Sequence, residues 1–196
     1  MSKKRLIIGL TGPMCGGKGI VADFLKKKGF FYTSTSEQVR EECRHRNIVI
    51  TRENLQKLGD EMRKKFGPDV WAKRCWEMIN KKKFPLAIVD SIRGEAEVDF
   101  LKTKPNFYLI GVVAPRRTRF KRVVARGRES DPMNWKEFLR LDKKDFKSGQ
   151  GKFGRNIPAC LKKADLVFNN NETVKQLEIK LEKWFTNFNR EFCSQY

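Results

Sequence analysis

Leu6-Ile7-Ile8-Gly9-Leu10-Thr11-Gly12-Pro13-Met14-Cys15-Gly16-Gly17-Lys18-Gly19-Ile20 is the stretch on which the reading of this chain turns. Arg5 to Leu10 is an apolar run of the kind that lies in the middle of a parallel sheet, buried on both faces. From about 18 to 28 the pattern becomes helical, with Ile20, Val21, Phe24 and Leu25 on one face and Gly29 as the stop. A glycine turn between a buried strand and a helix start aims several backbone N–H groups into one small space, and the helix dipole adds positive potential there. The spacing Gly12-x4-Gly17-Lys18 is that of a phosphate-binding loop whose lysine reaches the β- and γ-phosphates of a nucleotide. Gly12, Pro13, Met14, Cys15, Gly16, Gly17, Lys18, Gly19 and Ile20 are therefore candidate contacts to ATP. Gly19 departs from the general pattern, because Ser or Thr usually stands there and offers a hydroxyl to Mg²⁺. The metal would then rest on water, phosphates and a carboxylate supplied from elsewhere.

Outward from the loop, strands and helices alternate. Phe30-Phe31-Tyr32-Thr33 begins a second strand, and Ser36 to Arg46 turns helical and polar. Leu55, Leu58, Met62 and Phe66 mark a helix from about Arg52 to Phe66, ended by Gly67-Pro68. Asp69 is placed to cap the next helix, whose face is Val70, Trp71, Arg74, Cys75, Met78 and Ile79. Leu86 to Val89 is a short buried strand closing on Asp90, and Phe107 to Val113 is the next, followed by a basic helix from about Arg116 to Arg126. A polar, charged stretch runs to about Arg155, Asp165 to Phe168 is the last strand, and the final helix carries an apolar stripe of Val174, Leu177, Leu181, Trp184, Phe185 and Phe188. This order predicts a three-layer α/β/α domain with a five-stranded parallel sheet.

Composition narrows the class. The 196 residues are long enough for one sizeable core, and 39% are hydrophobic, so the chain is not compositionally disordered. Leu6 to Leu10 is too short for a signal-peptide core or a membrane span and leads straight into the glycine loop, so a soluble, cytoplasmic protein without membrane partners is expected. Five scattered cysteines with no CxxC pair, and a single histidine, His45, argue for reduced thiols and against a zinc site. A net charge of +20 exceeds what a nucleotide site needs and raises the prospect of a nucleic-acid or ribonucleoprotein partner.

The residues after each strand carry a family resemblance. Gly17-Lys18-Gly19 is how the loop reads in adenylate kinases and related nucleoside monophosphate kinases, although a Thr follows there and Ile20 follows here. Ser34-Thr35-Ser36-Glu37-Gln38-Val39-Arg40 resembles the start of that family's acceptor site, with Arg40 matching a phosphate-binding arginine. Asp90-Ser91-Ile92-Arg93 is similar to its Asp-Gly-Phe-Pro-Arg, one residue shorter; the resemblance puts Asp90 near the metal and Arg93 on the acceptor phosphate. Arg119, Arg122, Arg126 and Arg128 resemble lid arginines, and Asn169-Asn170-Asn171 falls where the family packs backbone against adenine. Arg63 and Asp60 lie on a helix that would cover the acceptor, as site residues or as a surface salt bridge, while Glu95 and Glu97 read as a solvated helix start, with recognition of an acceptor base as the alternative. The resemblance implies a P-loop NTPase fold over residues 1–196, with an acceptor-binding insertion at about 34–83 and a lid at about 116–155. It takes in nucleoside and deoxynucleoside monophosphate kinases and dephospho-coenzyme A kinases.

The expected activity is transfer of the ATP γ-phosphate, which depends on alignment and charge neutralisation by Lys18, Asp90, Arg122 and Arg126 as catalytic groups. Ser34, Arg40, Arg63 and Arg93 would hold the acceptor, and Arg119 and Asn170 would join the loop on ATP. A hydroxyl acceptor benefits from a general base, yet Tyr32-Thr33-Ser34-Thr35 has no carboxylate before Glu37, which favours a nucleoside monophosphate over dephospho-coenzyme A. A nucleotide-binding protein attached to RNA, and a kinase acting on nucleic acid, remain the alternatives that the basic excess supports.

Overall fold

The computed structural model describes residues 5–127, 131–148 and 153–194. The sequence-predicted lid arginine Arg128 lies outside them. Along the chain run β1 (Leu6–Thr11), α1 (Lys18–Lys27), β2 (Phe31–Ser34), α2 (Thr35–His45), α3 (Arg52–Phe66), α4 (Val70–Lys81) and β3 (Leu86–Ile92). There follow α5 (Glu95–Lys102), β4 (Phe107–Val113), α6 (Arg116–Arg126), α7 (Trp135–Phe146), β5 (Lys147–Ser148), β6 (Arg155–Asn156), α8 (Ile157–Lys162), β7 (Leu166–Asn169) and α9 (Val174–Ser194).

Five strands form one parallel sheet in the order β2-β3-β1-β4-β7. β1 is hydrogen-bonded on both edges, which is why all six of its residues are buried and why its sequence is an unbroken apolar run. Successive side chains of β1 point to opposite faces. Leu6, Ile8 and Leu10 join Leu25 of α1 and Leu177 and Leu181 of α9 in one core. Ile7 joins Ala72, Cys75 and Ile79 of α4, Val98 and Leu101 of α5 and Cys160 of α8 in the other. Helices on both faces make the three layers. The stripe predicted for the last helix is core packing, with Trp184, Phe185 and Phe188 against the first cluster.

Two smaller apolar clusters hold the pieces that flank the loop. Val39, Cys43, Leu58, Met62, Val70 and Trp71 bind α2, α3 and α4 together, and the Trp71 indole donates to the Gly59 carbonyl at 3.2 Å. Met14 of the glycine loop packs with Val123 of α6 and Phe138 of α7. Local signals set the helix ends: the Thr51 hydroxyl caps α3 by accepting from Asn54 N–H at 3.1 Å, and Gly127, left-handed at φ 56°, closes α6.

Three details differ from expectation. β2 begins at Phe31 and extends to Ser34. Asp69 stands at the N-cap of α4 but makes no capping bond; its carboxylate pairs with Lys73 at 3.0 Å instead. The polar stretch before Arg155 contains α7 and one strand of an antiparallel ribbon, β5 against β6, which sets Arg155 close behind the end of α7. No helix among the described residues is long and apolar enough to cross a membrane.

Candidate active site

The glycine loop emerges from the carboxyl end of β1, between its two neighbours β3 and β4, which is where ligands bind open parallel sheets. Three of its glycines, Gly12, Gly16 and Gly17, are fixed by sterics, a Cβ on Gly16 meeting the Val112 carbonyl oxygen at 2.6 Å. A Cβ on Gly12, at φ +135°, would sit 2.2 Å from the Val112 carbonyl oxygen, and one on Gly17, at φ +120°, would sit 2.2 Å from the Asn170 amide nitrogen. Gly19 is different: a Cβ there meets open space, so the missing hydroxyl is a chemical choice and not a steric one. Cys15 and Ser91, both non-glycine residues, adopt left-handed conformations at φ 54° and 64°. Strain of this kind concentrates where a site is held in one shape by its surroundings.

Lys18 opens α1, and its ammonium donates to the carbonyls of Gly12 at 2.7 Å and Pro13 at 3.0 Å. Enclosure of this group lowers its pKa from 10.5 to about 8, against the opposing pull of Asp90. Asp90, near the carboxyl end of β3, accepts from the Tyr32 hydroxyl at 2.9 Å and the Ser91 N–H at 2.5 Å. Burial, and then the Asp90 carboxylate, push the Tyr32 phenol above its ordinary value, so Tyr32 stays a donor.

A cleft of about 810 Å³ opens in front of these groups. It brings together most of the sequence-predicted site: Met14, Cys15, Gly17, Lys18, Gly19 and Ile20 from the loop, Ser34 and Arg40, Asp90 and Arg93, and Arg122 and Arg126. Gly12, Pro13 and Gly16 shape the loop from behind it, while Arg63 faces a smaller neighbouring cavity.

Two predicted ATP contacts have other partners. Arg119 is 2% exposed and makes a two-pronged pair with the equally buried Asp142 of α7, at 2.5 and 2.9 Å; it also donates to the Met14 carbonyl at 3.3 Å. A long arginine buried this deeply needs a carboxylate, and Asp142 supplies it, so Arg119 braces the loop instead of lining the cleft. Asn170 is likewise buried at 2%; its side-chain amide donates to the Gly16 carbonyl at 2.9 Å, and its oxygens accept from Arg122 at 3.1 and 3.3 Å. Asn170 thus ties the loop to α6. Arg126 forms a two-pronged pair with Asp131 at 2.8 and 2.6 Å.

Across the cleft lies a network of charged side chains. Arg40 donates to the Ser36 carbonyl at 3.4 Å, within its own helix. Arg93 reaches Asp145 of α7 at 3.4 Å, and Asp145 also accepts from Arg155 at 2.9 Å, from Gln56 at 3.4 Å and from Arg52. Burial opposes ionisation of Asp145, but Arg93, Arg52 and Arg155 outweigh it and hold the carboxyl below its usual range. Arg63 pairs with Asp60 and Glu97, each at 3.2 Å. Glu97 is not solvated, as its position at a helix start suggested: it is fully buried, and its second oxygen accepts the N–H groups of Arg93 and Gly94 at 2.9 Å each, capping α5. Sequence reasoning missed Asp131, Asp142, Asp145, Arg52 and Arg155. The only available signal was the set of aspartates spaced through a basic stretch, and their partners lie up to 93 residues away.

The loop's backbone cradle and Lys18 fit the phosphates of a nucleotide. For a magnesium ion, the described residues hold no cluster of three or more His, Cys, Asp or Glu. Of the three carboxylates lining the cleft, Asp131 is paired with Arg126 and Glu37 with Arg44, while Asp90 forms no ion pair with an arginine or lysine among the described residues. Mg²⁺ commonly takes one or two carboxylates and completes its shell with water and phosphates.

Strand order, the glycine cradle at the end of β1 and the arginine-rich cleft define a P-loop kinase-like nucleotide-binding domain. The model of a family described as AAA domain matches residues 8–145. A UPF0200 protein of Pyrococcus horikoshii is 31% identical over 183 residues, covering 91% of this chain and 95% of its own, and one of Hyperthermus butylicus is 31% identical over 179, covering 91% and 92%. The chain belongs to the AAA domain family and to the UPF0200 proteins. Among solved structures, TT1252 from Thermus thermophilus superposes with a TM-score of 0.57 at 20% identity, covering 96% of this chain and 98% of that one. Shikimate kinase from Aquifex aeolicus does so with 0.52 at 13%, covering 94% and 98%. These likenesses are of fold.

Proposed function

We propose that this protein is an ATP- and Mg²⁺-dependent phosphotransferase acting on a small anionic acceptor, with nucleoside monophosphates as the first class. One observation carries the reading: Lys18 on its backbone cradle and the acceptor-side pair Arg40 and Arg93 line the same cleft, together with Asp90. Phosphoryl transfer asks chiefly for alignment and charge neutralisation, and this arrangement supplies both from opposite sides. The loop N–H groups and Lys18 hold the β- and γ-phosphates. Arg122, bonded to Asn170, and Arg126, bonded to Asp131, line the cleft and would steady the transferred group. Arg40 and Arg93 orient the acceptor. Asp90 would hold the magnesium ion, which neutralises phosphate charge when bound. Both oxygens of Asp90 already accept from Tyr32 and Ser91, an orientation suited to a metal ligand more than to a mobile base, and this favours an acceptor that is itself ionised.

The test is a transfer assay with ATP across nucleoside and deoxynucleoside monophosphates, dephospho-coenzyme A and short oligonucleotides. Turnover of a monophosphate supports the reading; turnover of dephospho-coenzyme A or of oligonucleotides alone replaces the acceptor class. A second reading, attachment to nucleic acid, draws on the net charge of +20 and is separated by the oligonucleotide arm.

A further inference from the structure

Behind the acceptor arginines lies a second cavity of about 90 Å³ between α2, α3 and the end of α7. Arg40, Arg52, Arg63, Arg93 and Arg155 line it against only two carboxylates, Asp60 and Asp145. Its remaining walls, Thr35, Ser36, Val39, Leu55, Gln56 and Gly59, carry no charge. Outside the lining Glu97 pairs with Arg63 at 3.2 Å and Glu37 lies 3.8 Å from Arg40, so the five guanidiniums still outnumber the carboxylates around them. Arg63 and Arg155 are 6% and 4% exposed. The described residues contain three buried side-chain polar atoms without a hydrogen-bond partner: the Nε of Arg52, of Arg63 and of Arg155. All three belong to arginines that line this one cavity.

An enclosed donor without an acceptor is costly, and guanidinium donors cost more than neutral ones. Burial acts on the same residues by lowering the pKa of Arg52 and Arg155. Asp145 cannot satisfy the set, since its two oxygens already serve Arg52, Arg93, Arg155 and Gln56. An oxyanion offers several acceptor lone pairs in a small volume, and a slight rotation of each planar fork would bring its donors onto them. A neutral heterocycle would offer fewer acceptors and no charge.

We propose that this cavity is an oxyanion subsite, taking a phosphate or carboxylate group through Arg52, Arg63 and Arg155. The inference concerns the far end of the acceptor site in the phosphotransferase reading. The group could be a second anionic group of the acceptor itself or a free inorganic anion.

Arginine Nε–H signals followed by NMR on the intact protein test it, with and without a non-hydrolysable ATP analogue and Mg²⁺ on the loop. Signals are assigned through the single variants Arg52→Lys, Arg63→Lys and Arg155→Lys. Inorganic phosphate is expected to shift all three Nε–H signals and slow their exchange with water. Arg155→Gln should weaken that response roughly tenfold or more, the effect of one charge-assisted hydrogen bond. If a variant fails to fold, the wild-type titration still decides. A nucleoside 3′,5′-bisphosphate acting at lower concentration than inorganic phosphate identifies the acceptor as the source, and equal concentrations identify the free anion. The proposal is overturned if phosphate moves only the loop amides, or if an uncharged nucleoside moves the three Nε–H signals as a monophosphate does. Because no step requires turnover, its failure leaves the transfer assay, and with it the kinase reading, standing or falling separately.

Discussion

On the β1–α1 side of the cleft a ligand meets mainly backbone; on the acceptor side it meets mainly side chains. The first side is rigid because neighbouring chain presses on it: the Val112 carbonyl and the Asn170 amide leave no room for a Cβ at Gly12 and Gly17. The second side is held by charge, with Asp145 between Arg52, Arg93 and Arg155, and Glu97 beneath Arg63. A backbone cradle recognises any phosphate that fits and tolerates little change of sequence. A side-chain network can be re-specified by exchanging its members, so under the phosphotransferase proposal the donor side would define the class of chemistry and the acceptor side the substrate.

The sharpest way to break this contrast is Lys18→Ala, which removes the ammonium at the start of α1 on the backbone side. Phosphate transfer is expected to fall by about 10³-fold or more, since such a group acts on charge that develops during transfer. Urea unfolding should show an intact fold, and normal turnover in the folded variant would remove Lys18 from the reaction.

Asp145→Asn probes the other side. Removing a carboxylate that is 2% exposed strands three guanidiniums, so unfolding free energy should drop by about 3 kcal/mol, whereas ATP affinity without acceptor should stay near wild type. Equal losses at both sites would dissolve the division between them.

Arg40→Lys and Arg93→Lys keep the charge but lose the fork. Acceptor affinity should weaken about tenfold for each, the value of one charge-assisted hydrogen bond, while ATP binding measured by calorimetry stays unchanged. A fall in ATP affinity instead would move these arginines to the donor side.

Protons distinguish the sides more gently. Lys18 titrates near 8 in the free protein, and bound phosphates would restore its ammonium form. ATP affinity should therefore be full below about pH 8 and decline by up to tenfold per pH unit above it, with proton uptake on binding. Stability of the free protein moves the other way. Because the folded pKa lies below the ordinary value of 10.5, stability rises with pH between about 8 and 10.5. Calorimetry in two buffers of different ionisation enthalpy and unfolding curves across that range check both signs. The smallest effect is reserved for Gly19→Ala, where the added methyl meets open space: stability within about 0.5 kcal/mol of wild type and unaltered ATP affinity are expected.

The same contrast explains what the sequence could disclose. The loop, the five strands and the two helical layers follow from local patterns, because an apolar run such as Leu6 to Leu10 carries its own burial in its composition. Lys18, Asp90, Arg40 and Arg93 come together because each lies near or beyond the carboxyl end of a strand, and those ends converge on one edge of a parallel sheet. The acceptor network was not legible, since a charged residue looks alike in solvent and in a buried pair. Arg119 and Arg122 sit one turn apart on α6, yet only Arg122 faces the cleft, and the difference is set by Asp142, 23 residues beyond Arg119. Glu97 was mistaken for a solvated residue for the same reason: its partner Arg63 lies 34 residues away.

Asp142 and Asp145 stand three positions apart on one face of α7, the first gripping Arg119 behind the glycine loop, the second gripping the acceptor arginines. Inheritance must treat this helix as a unit. A length change in the connection before residue 135 leaves the spacing of the two grips untouched, but a residue inserted between them turns one against the other by about 100°. Lineages descending from this chain should thus keep the two carboxylates in step, and a change at either should alter which substitutions the other end of the cleft can accept.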